Sequence, residues 1–326
     1  MVGIREIAER AGVSISTVSY ALNDNAKVTS ETRERIKAIA AELNYTPSLA
    51  GRMLKKQKTN MIGLYVNGFG GDFYSHVIDG VANTLRAHHY ELIVGSGGSR
   101  SRAFVPQRFV DGAIILDVSF PTDLIREYAD AGNKLVVMDR DITHPNVARV
   151  IVDNAAGARQ AIDALAAANV DHFVMVTGPS DSWDSQVRAQ AAIQEVEKIS
   201  GKSILVIPGD FTIEGGRKAA EVICNTGDTN IGVFALNDEL AIGLYDGFNA
   251  RGRVVGQDIK IVGFDNDYID TYLDPKLTSI DYSKHRWGEM AAETVLKMIE
   301  TDETPADQFL KTKVLHRGSL GEKLTD

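Results

Sequence analysis

The stretch Ile4 to Asn23, IREIAERAGVSISTVSYALN, decides how the N-terminus is read. Ile4, Ile7, Ala8 and Ala11 recur at i, i+3, i+4 and i+7, the apolar stripe of an amphipathic helix. Gly12 closes that helix, because glycine takes left-handed backbone angles without steric cost. Ser14 is placed to cap a second helix, whose inner face is Val18, Ala21 and Leu22. Two short helices joined by a glycine-containing turn are a helix-turn-helix. A plain helical hairpin shares the spacing but not the outer face, which carries Ile15, Ser16, Ser19, Tyr20 and Asn23. Those side chains are short, amide-bearing or uncharged and suit base edges in a major groove.

Outward from this stretch, Thr29 is a further N-cap, and Ile36, Ile39, Ala40 and Leu43 give a third helix the core that two short helices lack. Asn44-Tyr45-Thr46-Pro47 ends it, since the residue before proline avoids helical angles. Ser48 to Lys56 follows as a basic segment with Leu54 as the one large branched apolar residue near its end. Its composition fits a hinge that turns helical on DNA with Leu54 wedged between minor-groove base steps, or a plain basic linker.

Charge separates this end from the rest. The chain of 326 residues has a formal charge of −9, yet residues 1–58 hold 10 Lys+Arg against 6 Asp+Glu. A basic module on an acidic body confines affinity for DNA to one end. Hydrophobic content of 44% supplies a core. Cys224 is the only cysteine, so no internal disulfide forms. Residues 1–10 lack a signal-peptide core and no apolar run spans a membrane, so a cytoplasmic location is expected.

From Met61 the pattern changes to apolar strands alternating with amphipathic segments. MIGLYV, ELIVG, GAIIL, KLVVM, HFVMV, SILVI, GVFAL and IKIVGF read as strands, with helices over 73–89, 122–131, 155–168, 185–200, 214–225 and 238–250. Repeated βα units imply parallel sheets covered by helices, too many for one compact sheet. Two βα lobes are expected, with a ligand cleft at the carboxyl ends of their strands. LTSID and the helix SKHRWGEMAAETVLKMIE return the chain to the first lobe.

At this point the chain resembles the LacI/GalR family of bacterial transcription regulators over nearly its whole length. The resemblance is carried by REIAERAGVSISTVSYALN, VTSETRERIKAIAAELNYTPS, MIGLYV, FYSHVIDGV, RFVDGAIIL, ALNDELAIGLYDGFNARG, IKIVGFDNDYIDTYLDPKLTSID and LHRGSL, in this order. It implies an α/β chain: a three-helix DNA-binding domain at 1–46, a hinge at 47–59, and a periplasmic-binding-protein-like effector domain at 60–326. The first lobe is expected at about 60–153 and 283–304, the second at about 154–282 and 305–326. The implied protein is a repressor that binds a pseudo-palindromic DNA operator as a homodimer under control of a small-molecule effector. The competing reading is a cytoplasmic sugar-binding protein or sensor with little regulatory role on DNA.

The resemblance assigns base or phosphate contacts to Ser14, Ile15, Ser16, Thr17, Ser19, Tyr20 and Asn23, and the minor-groove lever to Leu54. Tyr20 departs from the Arg or His common at its position and lacks the bidentate fork that reads guanine. Effector positions are Asp72, Phe73, Tyr74, Arg188, Asn237 and Asp265, with Arg140, Trp183 and Phe211 as further candidates. Carboxylate, guanidinium and amide groups pair with vicinal hydroxyls while aromatic rings cover sugar C–H faces, so a carbohydrate effector is expected. Asn237 also reads as the cap of the helix starting at Asp238. Between ELIVG and VDGAIIL the segment GSGGSRSRAFVPQRF is shorter than usual in the family and leaves room for little helix. GFGGD and GSGGS match no phosphate-binding loop, and the 7 histidines form no ligand pattern, so neither an enzyme, a cofactor nor a metal is expected.

Overall fold

The computed structural model describes residues 3–45, 58–70, 72–199 and 201–321. It divides into two compact units, Met1–Thr59 and Asn60–Asp326. The hinge expected at 47–59 and Leu54 fall almost wholly outside the described residues.

The first unit is three helices, α1 (Ile4–Ala11), α2 (Ile15–Leu22) and α3 (Ser30–Glu42). Gly12 takes φ 65° at the end of α1, as the turn requires. Ser14 Oγ accepts from Thr17 N and caps α2, and Thr29 caps α3 in the same way. Ile7, Val18, Ala21, Ile36 and Ala40 form one buried cluster. The loop NDNAKV is held to α3, where Lys37 pairs with Asp24 at 2.6 Å and Arg33 donates to the carbonyls of Asn25 and Val28.

The second unit contains two six-stranded sheets. The chain runs β1 (Met61–Val66), α4 (Asp72–Ala87), β2 (Glu91–Gly95), α5 (Ser99–Arg102), β3 (Gly112–Leu116), α6 (Thr122–Asp130), β4 (Lys134–Val137) and β5 (Val147–Val152). It then crosses to the second sheet through α7 (Asn154–Ala167), β6 (His172–Val176), α8 (Trp183–Glu197), β7 (Ile204–Ile207), α9 (Ile213–Asn225), β8 (Ile231–Ala235), α10 (Asp238–Asn249), β9 (Ile259–Phe264) and β10 (Thr278–Asp281). Helix α11 (Lys284–Thr301) brings it back to pack against α4. The first sheet has the order β11-β5-β4-β3-β1-β2 and the second β12-β10-β9-β8-β6-β7, with β11 (Gln308–Leu310) and β12 (Lys313–Leu315) as short edge strands. All pairings are parallel except β10 with β12.

Two expectations change. Residues 305–310 were expected in the second lobe, but Gln308–Leu310 pairs with Val150–Val152 in the first sheet, so the final crossing falls between Leu310 and Lys313. Strand β5, VARVIV, was not among the apolar runs, because Arg149 interrupts it and no helix separates it from β4. The short segment after β2 holds one helical turn, Ser99–Arg102, in keeping with its glycines.

Candidate functional site

Three crossings join the two sheets, at 152–154, 281–284 and 310–313, so the carboxyl ends of both sets of parallel strands belong to one connected region. The second-lobe candidates gather there. Arg188, in α8 and 5% exposed, donates from Nε to Asn154 Oδ1 at 2.7 Å and from Nη1 to the Leu236 carbonyl at 2.5 Å. Its guanidinium lies 3.6 Å from the centre of the Phe264 ring, and Nη2 is 4.0 Å from Asp265 Oδ1. Gly157 makes room for that ring, since a Cβ there would meet it at 2.6 Å.

Asp265 follows β9 in an unusual backbone conformation, φ 120°, costing of order 1–3 kcal/mol for a residue with a Cβ. The loop is held against that cost by its neighbours. Tyr282 Oη donates to Asp265 Oδ1 at 2.7 Å, Lys284 Nζ donates to the Asp265 carbonyl, and Lys284 pairs with Asp267 at 3.0 Å. Burial lifts the Asp265 carboxyl to about 6, against the opposing pull of Arg188. Burial likewise works against the charge on Lys284, but Asp265 and Asp267 outweigh it and hold the ammonium on.

Asn237 is the N-cap of α10: Oδ1 accepts from Leu240 N at 3.0 Å and Nδ2 donates to the Phe211 carbonyl at 3.2 Å. The capping role read from sequence is therefore present, and it joins Asn237 to Phe211, whose φ is 63°. Trp183 opens α8 and is partly exposed.

In the first lobe, Asp72, Phe73 and Tyr74 begin α4 at the end of the loop after β1. Phe73 stacks edge-on with Tyr74 at 5.0 Å and with Trp287 at 6.3 Å. Burial raises the Tyr74 hydroxyl to about 12, reinforced by Asp117 and Asp139 from its own lobe and by Asp265 and Glu239 from the other. Arg140 does not offer its guanidinium to the same space. Its N–H groups go to Asp139 Oδ1 and Oδ2, the carbonyls of Asp117 and Phe120, and Thr122 Oγ1. Those five bonds equal the full donor capacity of the side chain, so Arg140 braces the loops after β3 and β4.

Four polar residues escaped the sequence reading. Asp117 and Asp139 directly follow or nearly follow β3 and β4, the same kind of position that singled out Asp265 after β9. Asn154 and Asp184 are joined at 2.7 Å and continue the Arg188 network. Burial pushes the Asp184 carboxyl up to about 7; Arg188 opposes the shift, while Asp139 and Asp265 add to it. Nothing in the polar run SDSWDS marks Asp184 as distinct from a surface acid.

On α2, Ile15 and Ser16 are exposed, and Ser19 and Tyr20 partly so. Lys27 sits 5.4 Å from the centre of the Tyr20 ring. Ser14 shares a 2.9 Å hydrogen bond with Thr17 Oγ1, and Asn23 Nδ2 returns to the Ser19 carbonyl at 2.7 Å. These three polar side chains thus stabilise the helix ends, leaving Ile15 and Ser16 as its open face.

A helix-turn-helix followed by two βα lobes with buried polar groups at their strand ends defines a DNA-binding regulator with a ligand-sensing body. Residues 3–48 match the model of the bacterial regulatory proteins of the lacI family, and residues 162–320 match a periplasmic binding protein-like domain. The ribose operon repressor of Haemophilus influenzae is 32% identical over 311 residues, 92% of each chain. A sugar-binding transcriptional regulator of the LacI family from Enterococcus faecalis superposes with a TM-score of 0.75 at 38% identity, over 81% of this chain and 99% of that one. A LacI family regulator from Enterococcus faecium with bound ribose gives 0.74 at 26% identity, over 80% of this chain and 98% of that one. The chain belongs to the lacI family of bacterial regulatory proteins. Among the described residues no helix is long and apolar enough to cross a membrane.

Proposed function

We propose that this chain is a cytoplasmic repressor that binds a pseudo-palindromic operator as a homodimer and is controlled by a sugar held between its two lobes. Two copies of the α2 face, one turn of DNA apart, read a two-fold symmetric site. The observation that carries the effector half is the buried network at the strand ends that joins Asp265, Arg188, Asn154 and Asp184. Buried polar groups of this number, in a region crossed three times by the chain, couple ligand binding to the arrangement of the lobes. The named relative and the ribose-bound neighbour favour a sugar. A sugar shifts operator affinity only through its differential affinity for the two lobe arrangements. The pairing of a DNA-reading helix with this site favours a regulator over a sensor without a DNA role, and over an enzyme.

The test is Asp265→Asn, which keeps the shape of the side chain. It is expected to retain operator binding in a mobility-shift assay and to lose response to sugar. Normal response would remove Asp265, and with it the effector site, from the proposal.

A further inference from the structure

Helix α2 carries few groups that can read a base by hydrogen bonding. Its sequence, ISTVSYAL, holds no Arg, Lys, Gln or Asn, so the helix itself lacks the bidentate forks that grip guanine or adenine edges. Asn23, directly after it, gives Nδ2 to the Ser19 carbonyl at 2.7 Å. Lys27 lies over the Tyr20 ring at 5.4 Å, and Arg33 donates to the carbonyls of Asn25 and Val28. Ser14 and Thr17 bond to each other. Ser16 is exposed, but a hydroxyl both donates and accepts and so tolerates any base edge. Ile15 is the remaining group at the leading end of the helix. At 44% exposure it is the one large hydrophobic side chain of the first unit that lies exposed among the described residues, while Ile7, Val18 and Ile36 are fully buried. Branched at Cβ, it has one strongly preferred rotamer in a helix and loses little freedom on docking. In a major groove the apolar feature of a base edge is the 5-methyl group of thymine.

Resting on the operator reading above, we propose that Ile15 is a specificity-determining residue that packs on the 5-methyl group of a thymine in each half-site. The leading residues of a helix docked in this way meet base edges, and Ile15 is the first residue of α2. Cytosine at that place presents a hydrogen where thymine has its methyl, and a purine presents N7 to an aliphatic chain that has nothing to donate. The discrimination is therefore made by apolar contact instead of a hydrogen-bonding fork. It is also independent of salt, in contrast to the phosphate contacts that set overall affinity.

The experiment uses the full chain and begins by selecting its operator from a pool of random duplexes, with and without added ribose and glucose. Each thymine of the selected half-site is then replaced in turn, in both half-sites, by deoxyuridine, which removes only the methyl group. Affinity is read by fluorescence anisotropy at two salt concentrations. At one position the loss is expected to be about tenfold, the size set by burying two methyl groups, and the same at both salts. Ile15→Ala should bind the thymine and deoxyuridine duplexes equally, and Ile15→Val, which keeps a branched apolar end, should retain part of the preference. Thermal unfolding checks that both variants fold. If no thymine responds to loss of its methyl, or if the response persists in Ile15→Ala, the inference is overturned and the operator reading stands. If every duplex binds alike and no operator emerges, the operator reading falls and this inference falls with it.

Discussion

Arg140 and Arg188 look alike in sequence, each a lone basic residue near the end of a strand or the start of a helix, and the two lobes use them differently. Arg140 has its five N–H groups on its own lobe and fixes the loops after β3 and β4. Arg188 sits over the Phe264 ring, holds Asn154 and the Leu236 carbonyl, and leaves Nη2 at 4.0 Å from Asp265. One guanidinium is a brace. The other is a brace with an unsaturated side facing the site, so polar character at a strand end does not by itself mark a ligand group.

The comparison is tested most strongly by removing each guanidinium in turn. Arg140→Met leaves Asp139, 3% exposed, without its charge partner, and breaking a buried pair costs about 3–5 kcal/mol. Arg188→Met strands Asn154 Oδ1 and the Leu236 carbonyl, each worth about 1–3 kcal/mol. Urea unfolding should show a loss of several kcal/mol in both variants, whereas sugar titration of the folded fraction should show the larger loss for Arg188. Equal loss of sugar affinity in both variants would mean that Arg140 reaches the ligand after all.

The next effect is a pH dependence confined to one lobe. Asp184 is lifted to about 7 in the folded chain, above its unfolded value of about 4. The native state therefore holds the proton more tightly, and the stability this contributes is full below the unfolded value and lost as pH rises through about 7. Asp184→Asn removes the titration. Its melting temperature should match that of the parent near about pH 3 and exceed it near about pH 8. A gain of the same size at both would locate the effect in packing rather than in charge.

How much of this was open to sequence reading depended on the distance over which the deciding contacts act. The helix-turn-helix rests on local spacing and caps, with Ser14 to Thr17 three residues apart, and it was legible residue by residue. The two-lobed body was legible from its apolar runs, but β11 was not, because a three-residue edge strand carries little pattern and its partner β5 lies far back in the chain. Asp265 is singled out in the sequence because it directly follows a clean apolar strand. Asp117 and Asp139 stand at equivalent places in the first lobe, and the same rule extended to that lobe singles them out too. The bracing of Arg140 and Arg188 was beyond reach, since it runs to carbonyls 20 and 48 positions away.

The smallest effect concerns Asn237, where capping and ligand contact were both read from sequence. Oδ1 caps α10 through Leu240 N, and Nδ2 reaches the Phe211 carbonyl. Asn237→Asp keeps the cap, since aspartate accepts from the same N–H, but sets a carboxylate oxygen against the Phe211 carbonyl in place of the amide donor. Asn237→Ala loses both, and removal of a cap costs about 0.5–2 kcal/mol. If the residue acts only within the protein, both variants lose stability and keep their sugar affinity. If the amide also serves the ligand, the aspartate variant loses sugar affinity as well. That outcome would add an amide donor beside the open Nη2 of Arg188 on the second-lobe side, and would set the two lobes further apart.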